Sequence, residues 1–285
     1  MTDNNALLET AVIAAIKAGR AIMEVYRTDF DVEIKSDDSP LTLADRRSHQ
    51  IIVESLTPFD IPVLSEEGKH AAFTTRSKWD RLWVIDPLDG TKEFVKKNDE
   101  FTVNIALVEH RQPVIGVVYL PVKDILYFAA VNHGSYKLVS AMTTIQQHSS
   151  TTSAPVYPLE KLIVVSSKLP LANKTKGAYT IVGSRSHATP ELHQFIEDKK
   201  EKYENVEFIS AGSSLKICLV AEGAAHVYPR LGPTMEWDTA AGDAVARFSG
   251  AKVLAYNTSR PLQYNKADLL NPWFIVRNKL SGHTR

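Results

Sequence analysis

The stretch R-L-W-V-I-D-P-L-D-G-T-K-E-F, from Arg81 to Phe94, is an apolar run that ends in two aspartates, a glycine and a threonine. The run predicts a buried strand, which ends at Asp-Pro because proline cannot extend a central strand. Asp86 and Asp89 flank a Pro-Leu pair, so both carboxylates can converge on one side of a tight turn. Two like charges in that position repel each other unless a cation lies between them. Taken alone, the stretch favours a cation site and a simple Asx-type turn about equally.

Composition limits the classes of protein to consider. The chain has 285 residues, of which 44% are hydrophobic, with 33 basic and 33 acidic residues. This length suggests about two domains, or one large fold with two closely packed halves. The balanced charge provides no overall field to attract nucleic acid, so any phosphate site has to be local and no nucleic-acid partner is expected. The single Cys218 excludes an internal disulfide, which fits a reducing cytoplasm.

The first apolar segment is interrupted by charges. Residues 6–26 carry Glu9, Lys17, Arg20 and Glu24 within an apolar pattern of three- and four-residue steps. This pattern excludes a membrane span and predicts an amphipathic helix. The start of the chain does not resemble a secretory signal. We therefore expect no transmembrane segment and a cytoplasmic location, with peripheral contact at the inner membrane left open.

A strand-rich region follows a second helix. The sequence pattern predicts this helix from Thr42 to Leu56 and the strands from Trp83 to Ala130. The runs F-T-V-N-I-A-L-V-E and V-I-G-V-V-Y-L are almost continuously apolar, as expected for strands covered on both faces. Gln112 and Pro113 lie between these runs and predict a hairpin turn.

The pattern changes near residue 139. Val139 to Tyr157 is rich in Ser, Thr, Gln and Ala without clear periodicity, which predicts an exposed connection. We place the boundary between two halves there, as residues 1–150 and 151–285. Beyond it, L-I-V-V-S and Y-T-I-V-G predict short strands that alternate with helices. These helices are expected at about residues 190–203, 213–222 and 238–248. The pattern alone indicates an α/β or α+β protein of two halves.

Other acidic residues lie at the ends of predicted elements, and each has an ordinary alternative role. Glu66, in Ser-Glu-Glu-Gly after a short apolar run, fits a charged loop. Asp45 lies early in the second helix, where a solvated acid is usual. Asp238 lies at a helix start and fits an N-cap.

The second half carries polar clusters that could bind phosphate. Gly-Ser-Ser, beginning at Gly212, precedes a helix whose free N–H groups attract phosphate, although serine capping explains the motif equally well. The loop from Ser184 to His187 could bind a phosphate or a base edge, or lie exposed. Lys216 and Arg230 fit surface cations as well as phosphate ligands.

The combination and order of these clusters resemble the lithium-sensitive, magnesium-dependent phosphomonoesterases that include inositol monophosphatase and fructose-1,6-bisphosphatase. The resemblance covers nearly the whole chain. It is carried by L-T-L-A-D (41–45), S-E-E-G (65–68), W-V-I-D-P-L-D-G-T (83–91) and W-D-T-A-A-G (237–242). Within this superfamily the chain is most similar to bacterial 3′(2′),5′-bisphosphate nucleotidases. That similarity is carried by T-K-E-F (91–94), S-R-S-H (184–187), G-S-S-L-K (212–216) and Y-P-R (228–230).

The resemblance implies a fold and a set of site residues. The implied fold is a layered αβαβα sandwich whose N-terminal half carries most metal ligands. The implied ligands of two Mg²⁺ ions are Glu66, Asp86, the backbone carbonyl of Leu88, Asp89 and Asp238. A third, weaker ion would be reached through Asp45, and Glu66 together with a Thr91–Asp45 pair would orient the attacking water. The implied substrate-binding residues are Gly90, Thr91, Ser184, His187, Gly212, Lys216 and Arg230.

The implied activity is hydrolysis of the 3′-phosphate of 3′-phosphoadenosine 5′-phosphate to AMP and phosphate, a reaction of sulfur assimilation. The partner would be this small bisphosphate, and the resemblance allows a monomer or a dimer. An inositol or sugar phosphatase is the alternative enzyme, since it shares every metal ligand and differs only at the specificity loops. A catalytically silent nucleotide-binding protein is disfavoured because each metal and water-activating position holds a competent side chain.

Overall fold

The structure, a computed structural model, describes residues 4–34, 40–149, 157–171, 177–184 and 189–278. The helices within these residues are α1 (Asn4–Tyr26), α2 (Leu43–Leu56), α3 (Phe73–Arg76), α4 (Thr91–Val95), α5 (Ala141–Ser149), α6 (Leu159–Val164), α7 (Pro190–Lys200), α8 (Leu215–Ala221) and α9 (Ala240–Ser249). A short 3₁₀ helix, Thr57–Phe59, follows α2. The strands are β1 (Val32–Ile34), β2 (Pro40–Thr42), β3 (Val63–Ser65), β4 (Arg81–Asp89), β5 (Thr102–Glu109), β6 (Gln112–Leu120), β7 (Ile125–Ala130), β8 (Gly134–Val139), β9 (Ser167–Lys168), β10 (Tyr179–Gly183), β11 (Val206–Ser210), β12 (Val227–Arg230), β13 (Lys252–Ala255) and β14 (Phe274–Arg277).

A seven-stranded sheet forms the centre of the first part of the chain, in the order β3-β4-β5-β6-β7-β8-β9. β3 and β4 are parallel, and the other neighbours are antiparallel. Side chains alternate between its faces: Trp83 and Ile85 pack with α1 and α2, whereas Leu82 and Val84 pack with α8 and α9. Both faces are covered, which explains the continuous apolar runs.

A five-stranded sheet, in the order β11-β10-β12-β14-β13, forms a second layer of strands. Helices α8 and α9 lie between the two sheets. Helix α7 covers the outer face of the second sheet, where Phe195 packs with Ile181 and Val227. The layers are thus α1/α2, seven strands, α8/α9, five strands and α7, so the expected αβαβα sandwich is confirmed.

Helix α9 approaches β6 closely at Gly116. A Cβ added to Gly116 would lie 2.6 Å from the Cβ of Ala244 and closer still to the backbone oxygen of Ala241. Only glycine permits this approach without a shift of the helix or the strand. The contact fixes where α9 begins, and therefore the position of Asp238 two residues ahead of it.

The β5–β6 turn differs from the predicted one. Its two residues are His110 and Arg111, with φ of 45° and 64°, as a two-residue hairpin turn with positive φ requires. Gln112 instead opens β6, and Pro113 lies beside a register shift in the β5–β6 ladder. Proline is tolerated there because a strand's first residues and its bulges do not need every ladder N–H.

Two segments predicted without helix are helical. L-I-V-V-S was predicted as a strand, but Leu162 is buried together with Leu159 in α6 while Val164 is 82% exposed. Part of the predicted exposed connection forms α5, which buries Ala141 and Ile145 at helical spacing. Residues 150–156 of that connection lie outside the described residues.

The remaining predicted elements of the second half correspond to β10, α7, α8 and α9. Strand β9 pairs with β8 and extends the seven-stranded sheet past residue 150. The division of the chain into residues 1–150 and 151–285 stays a prediction. No helix in the described part of the chain has the length and apolarity needed to cross a membrane.

Candidate metal centre and site cavity

Strand β4 ends in the turn that carries Asp86 and Asp89. The Asp86 Oδ1 atom accepts a 3.1 Å hydrogen bond from the Leu88 N–H, which forms an Asx-type turn. Ser48 on α2 donates to the Pro87 carbonyl at 2.6 Å and holds the turn from the other side. The Asx turn and the clustering of the carboxylates, weighed as alternatives in the sequence, therefore occur together.

Three aspartates meet at this turn. Carboxylate oxygens of Asp86, Asp89 and Asp238 all lie within 4.8 Å of one another. Asp238 reaches the group from the segment ahead of α9, where the Met235 N–H donates to its Oδ2 at 2.8 Å. Glu66, which follows β3, is close enough to share a side-chain hydrogen bond with Asp86, and its charge raises the pKa of Asp86. Distant segments thus supply one acidic cluster.

The cluster is electrostatically unfavourable by itself. Burial raises the pKa of Asp86 well above its usual range, and the charges of Glu66, Asp89 and Asp238 raise this pKa further. Burial and then the charge of Asp89 raise the pKa of Asp238 to about 8, against the hydrogen bond from Met235, which lowers it. A cation among these oxygens would remove the repulsion. The donors are oxygens without sulfur or imidazole, so they fit a hard divalent cation such as Mg²⁺.

Asp89 is held by donors that come from two other elements. The Ser214 N–H donates to its Oδ2 at 2.7 Å, and Asn104 Nδ2 donates to the same oxygen at 3.2 Å. Because these bonds use Oδ2, the other oxygen is available to a cation. Ser214 Oγ lies 2.9 Å from Asp89 Oδ2 and 2.6 Å from the backbone oxygen of Asp238, so it links two residues of the cluster.

The sequence interpretation did not assign Ser214 or Asn104 to the centre. Asn104 carried a signal, since it is a polar residue inside the apolar run of β5 and is almost completely buried. A buried amide needs partners, and here they are Asp89 and Ser214. Ser214 lay in the Gly-Ser-Ser motif and carried no separate signal.

Asp45 and Thr91 lie together beside the acidic cluster. Asp45 is the third residue of α2, and its Oδ2 accepts the Thr42 N–H at 2.7 Å as part of a capping box. Thr91 Oγ1 lies 3.1 Å from Asp45 Oδ1 and 3.2 Å from the Leu88 carbonyl oxygen. The structure therefore brings the predicted Thr91–Asp45 pair together next to the Leu88 carbonyl.

Gly90 stands between the cluster and α4. Its φ is 93°, in the left-handed region that side chains disfavour, and it occupies the N-cap of α4. A Cβ at Gly90 would lie 3.1 Å from the Glu100 backbone oxygen. Glycine therefore lets the chain turn from the aspartates directly into α4, whose first residue is Thr91.

A cavity of about 110 Å³, hereafter the site cavity, opens beside Asp89 and Asp238. It brings together most of the residues predicted to bind substrate. These are Gly90, Ser184, Gly212, Lys216 and Arg230. Other lining residues, not predicted, are Glu93, Ser213, Ser214, Ile217, Tyr228, Thr234, Thr239 and Phe274. The predicted His187 lies outside the described residues.

Two cations, Lys216 and Arg230, also line the site cavity. Lys216 is only 6% exposed, and its Nζ donates to the Ser213 carbonyl at 2.7 Å. Burial lowers the pKa of Lys216 to about 8, while the charge of Asp89 acts in the opposite direction. Arg230 donates from Nη2 to the Pro233 carbonyl at 2.7 Å. Its buried Nε has no hydrogen-bond partner among the described residues.

A second cavity of about 140 Å³ adjoins the first and shares Ser184, Tyr228 and Arg230 with it. Its other lining residues are mostly apolar. They are Thr189, Leu192, Pro229, Leu231, Gly232 and Pro233. The site cavity is therefore lined by acidic and cationic groups, and the adjoining cavity mostly by apolar ones.

Comparison with known proteins agrees with this geometry. The chain is 42% identical over 276 residues to the 3′(2′),5′-bisphosphate nucleotidase CysQ of Escherichia coli strain K12, covering 95% of this chain and 99% of that protein. It is 43% identical, over the same shares, to the protein of that name from Salmonella typhimurium. The crystal structure of CysQ from Bacteroides thetaiotaomicron matches with a TM-score of 0.86 and 50% identity, over 96% of this chain and 98% of that one.

More distant structures share the fold. The extragenic suppressor protein suhB from Bartonella henselae matches with a TM-score of 0.69 and 21% identity, over 96% of this chain and 94% of that one. Residues 3–283 match the description of the inositol monophosphatase family. This match spans nearly the whole chain and includes every segment that builds the acidic cluster, so the chain belongs to the inositol monophosphatase family.

Proposed function

We propose that this protein is a magnesium-dependent phosphatase that hydrolyses the 3′-phosphate of 3′-phosphoadenosine 5′-phosphate to give AMP and phosphate. One observation carries the proposal: a single cavity is lined both by Asp89 and Asp238 of the acidic cluster and by the cations Lys216 and Arg230. A substrate with two phosphates would place one beside the carboxylates and their ions and the other beside the two cations. The bisphosphate nucleotidases at 42–43% identity over 95% of the chain support the same substrate class.

The residues that would hold magnesium are those gathered at the end of β4. They are Glu66, Asp86, the carbonyl of Leu88, Asp89 and Asp238, with Asp45 reached by a third, weaker ion. When bound, the ions supply an activated water and neutralise charge on the phosphate. Occupancy by magnesium also accounts for the expected inhibition by lithium, which would compete for the same oxygens.

The protein's own groups orient the water and the phosphate. With its proton directed to Asp45 Oδ1, 3.1 Å away, the Thr91 hydroxyl offers its lone pairs to a water molecule. Glu66 would fix the same water from the other side. The backbone N–H groups of Gly90 and Thr91 would donate to the cleaved phosphate, which Gly90 permits because it has no side chain.

The second half of the chain would select the substrate. Arg230 would bind the phosphate that is not cleaved, since its planar guanidinium donates two parallel hydrogen bonds. Lys216 adds a buried positive charge beside it. Ser184 and His187 would contact the nucleoside, and Gly212 lets the backbone pass close to Glu100 at the cavity wall.

A phosphate-release panel tests the proposal. It compares 3′-phosphoadenosine 5′-phosphate, inositol 1-phosphate and fructose 1,6-bisphosphate while Mg²⁺ is titrated and Li⁺ is added. We expect Mg²⁺-dependent release with the highest kcat/KM for the nucleotide, and inhibition by Li⁺. Preference for the inositol ester would replace the proposed substrate with the alternative one and leave the metal chemistry in place.

Two variants test the roles of single residues in the same assays. Asp89→Asn should remain folded and lose turnover, whereas a catalytically silent binding protein has no turnover to lose. Arg230→Ala should raise KM for the bisphosphate far more than for adenosine 3′-monophosphate. Equal effects on both substrates would remove Arg230 from the second phosphate.

A further inference from the structure

His70 contacts two segments that carry the acidic cluster, although it does not line the site cavity. Its Nε2 atom lies 2.8 Å from the backbone oxygen of Ser65. Its imidazole ring packs against the indole of Trp237, with the ring centroids 5.2 Å apart and the planes tilted by 44°. Ser65 immediately precedes Glu66, and Trp237 immediately precedes Asp238. One side chain therefore touches the neighbours of two proposed ligands that lie far apart in the sequence.

The contact with Ser65 acts on the turn that carries Glu66. A backbone oxygen only accepts hydrogen bonds, so Nε2 of His70 carries the proton and donates it. The same oxygen accepts the Gly68 N–H at 3.1 Å, which closes a β-turn over residues 65–68. The Glu66 N–H donates to the Ile85 carbonyl at 3.2 Å and ties the start of this turn to β4. His70 thus holds the turn from the side opposite to the sheet.

The contact with Trp237 is made to a firmly anchored segment. Trp237 is only 7% exposed and belongs to the core between the two sheets. Glu236, the residue before it, is fully buried, and its carboxylate accepts the N–H groups of Asn265 and Lys266 at 2.5 and 2.9 Å. The indole therefore presents a fixed surface, and the ring of His70 is positioned against it.

These two contacts have little to do with the hydrophobic core. His70 is exposed and lies on the connection between β3 and α3. Its effect is instead to relate the positions of Glu66 and Asp238, which are close enough for the charge of Glu66 to raise the pKa of Asp238. Mg²⁺ requires nearly ideal octahedral placement of its ligands, and groups that orient the ligands change the affinity for the metal.

We propose that His70 is a positioning residue of the metal centre, which holds Glu66 and Asp238 at the separation that Mg²⁺ binding requires. This inference rests on the proposed function for the identity of the ion. It assigns to His70 a role in metal affinity and none in contact with the substrate. Loss of His70 should therefore weaken Mg²⁺ binding and leave substrate binding at saturating Mg²⁺ unchanged.

Three variants separate the two contacts of His70. His70→Gln keeps an N–H donor at a similar reach and removes the ring, His70→Phe keeps a ring and removes the donor, and His70→Ala removes both. Calorimetric titration of the protein with Mg²⁺ alone measures the affinity without turnover. We expect Kd for Mg²⁺ to rise about 3- to 10-fold in His70→Ala, the effect of a lost hydrogen bond, and to be intermediate in the other two.

Kinetics and stability should show the same division. The Mg²⁺ concentration for half-maximal activity should rise by a similar factor, while KM for 3′-phosphoadenosine 5′-phosphate at saturating Mg²⁺ stays at the parent value. The melting temperature of the metal-free variants should stay near that of the parent, because His70 is exposed. If His70→Ala also loses stability, His70→Gln and His70→Phe decide the question, since each keeps one contact.

His133→Ala is the matched control. His133 also makes a 2.8 Å hydrogen bond through Nε2, to Asn5 Oδ1 on α1, and does not line the site cavity. This variant should bind Mg²⁺ as the parent does. Parental Mg²⁺ affinity in His70→Ala would overturn the proposal, and so would a lower melting temperature with no change in Mg²⁺ affinity.

Failure of the proposed function can be told apart from failure of this inference. If the unaltered protein binds Mg²⁺ but releases no phosphate from the bisphosphate, the proposed function is wrong, and the calorimetric comparison still decides the role of His70. If the unaltered protein is active and His70→Ala binds Mg²⁺ equally well, only the inference about His70 is wrong. Absence of Mg²⁺ binding by the unaltered protein would reject both.

Discussion

Lys216 is a cation enclosed by protein, so its charge depends on pH within the range where enzymes are assayed. Burial, together with the charge of Arg230, lowers its pKa to about 8, and the charge of Asp89 opposes this shift. Below pH 8 the side chain is charged and attracts phosphate. Above pH 8 the free enzyme has lost this proton, and substrate binding must take it up again.

KM for the bisphosphate should therefore be nearly constant below pH 8 and rise above it, by up to roughly tenfold per pH unit. Initial-rate measurements from pH 6.5 to about 9.5 with saturating Mg²⁺ would show this increase. Lys216→Met should have a high KM that no longer changes across this range. A parent enzyme whose KM stays flat to pH 9.5 would contradict the assignment.

At the residue scale, the acidic cluster was predicted only through the resemblance to a family, and its supports were not predicted at all. The residues alone left an Asx-type turn open for Asp86 and Asp89 and an N-cap for Asp238. The contacts of Ser214 and Asn104 with Asp89 depend on the folded chain: Ser214 is 125 residues away from Asp89 in sequence and 110 from Asn104. A side chain's partner at such a distance cannot be inferred from its neighbours along the chain.

At the element scale, the packing of α9 on β6 places the last acidic residue. Gly116 leaves no room for a side chain, because Ala241 and Ala244 of α9 occupy that space. Asp238 lies two residues ahead of α9. The position of the helix and the geometry of the acidic cluster are therefore coupled.

Gly116→Val should lower the free energy of unfolding by about 1–3 kcal/mol, the usual cost of overpacking a core. It should also raise the Mg²⁺ concentration needed for half-maximal activity, because a displaced α9 moves Asp238. Urea denaturation and Mg²⁺ titration measure the two effects. Gly232→Ala is the control for stability, since a Cβ there meets no atom within 4 Å. Unchanged stability in Gly116→Val would show that α9 does not pack closely against β6 at this position.

Elements were predicted well where one strong physical pattern dominated. β5 and β6 are apolar on both faces, and such short, β-branched apolar runs favour buried strands over helices. The segment Leu162–Ser166 was misread because its β-branched residues favour strands, although only a helix buries Leu159 and Leu162 on one side. The His110–Arg111 turn was missed because the pair contains none of the Gly, Asn or Asp residues that mark a two-residue hairpin turn.

At the scale of the whole molecule, the acidic cluster joins layers that are otherwise separate. Asp86 and Asp89 come from the seven-stranded sheet, and Asp238 comes from the segment leading into the middle helix layer. Sequence patterns alone indicated two halves, and the layer order came only from the resemblance to a family. Periodicity shows which side of an element is buried, but it does not show which other element covers that side.

Asp86→Asn should make the metal-free protein more stable at neutral pH. A carboxyl whose pKa is raised by folding destabilises the fold at pH values above its unfolded pKa, and Asp86 is such a group. The amide removes that charge and still accepts the Leu88 N–H. With saturating Mg²⁺ the order should reverse, because the parent gains stability from the ion.

Thermal unfolding with and without Mg²⁺ checks this reversal in the order of stability. Each kcal/mol of unfolding free energy moves the melting temperature by about 2–4 °C. Glu67→Gln, beside the centre but not among its proposed ligands, should give the parent's response to Mg²⁺. Lower stability of metal-free Asp86→Asn would mean that the repulsion is already relieved by the protein itself.

The bonds from Ser214 to Asp89 and to the Asp238 carbonyl also constrain protein engineering. The half of the chain expected to choose the substrate helps to orient a carboxylate in the half expected to hold the ions. A chimera that imports this half from a relative with different specificity would alter catalysis and substrate choice together. Transplants that retain Ser214 along with its Asn104 contact offer the cleanest way to change one property without the other.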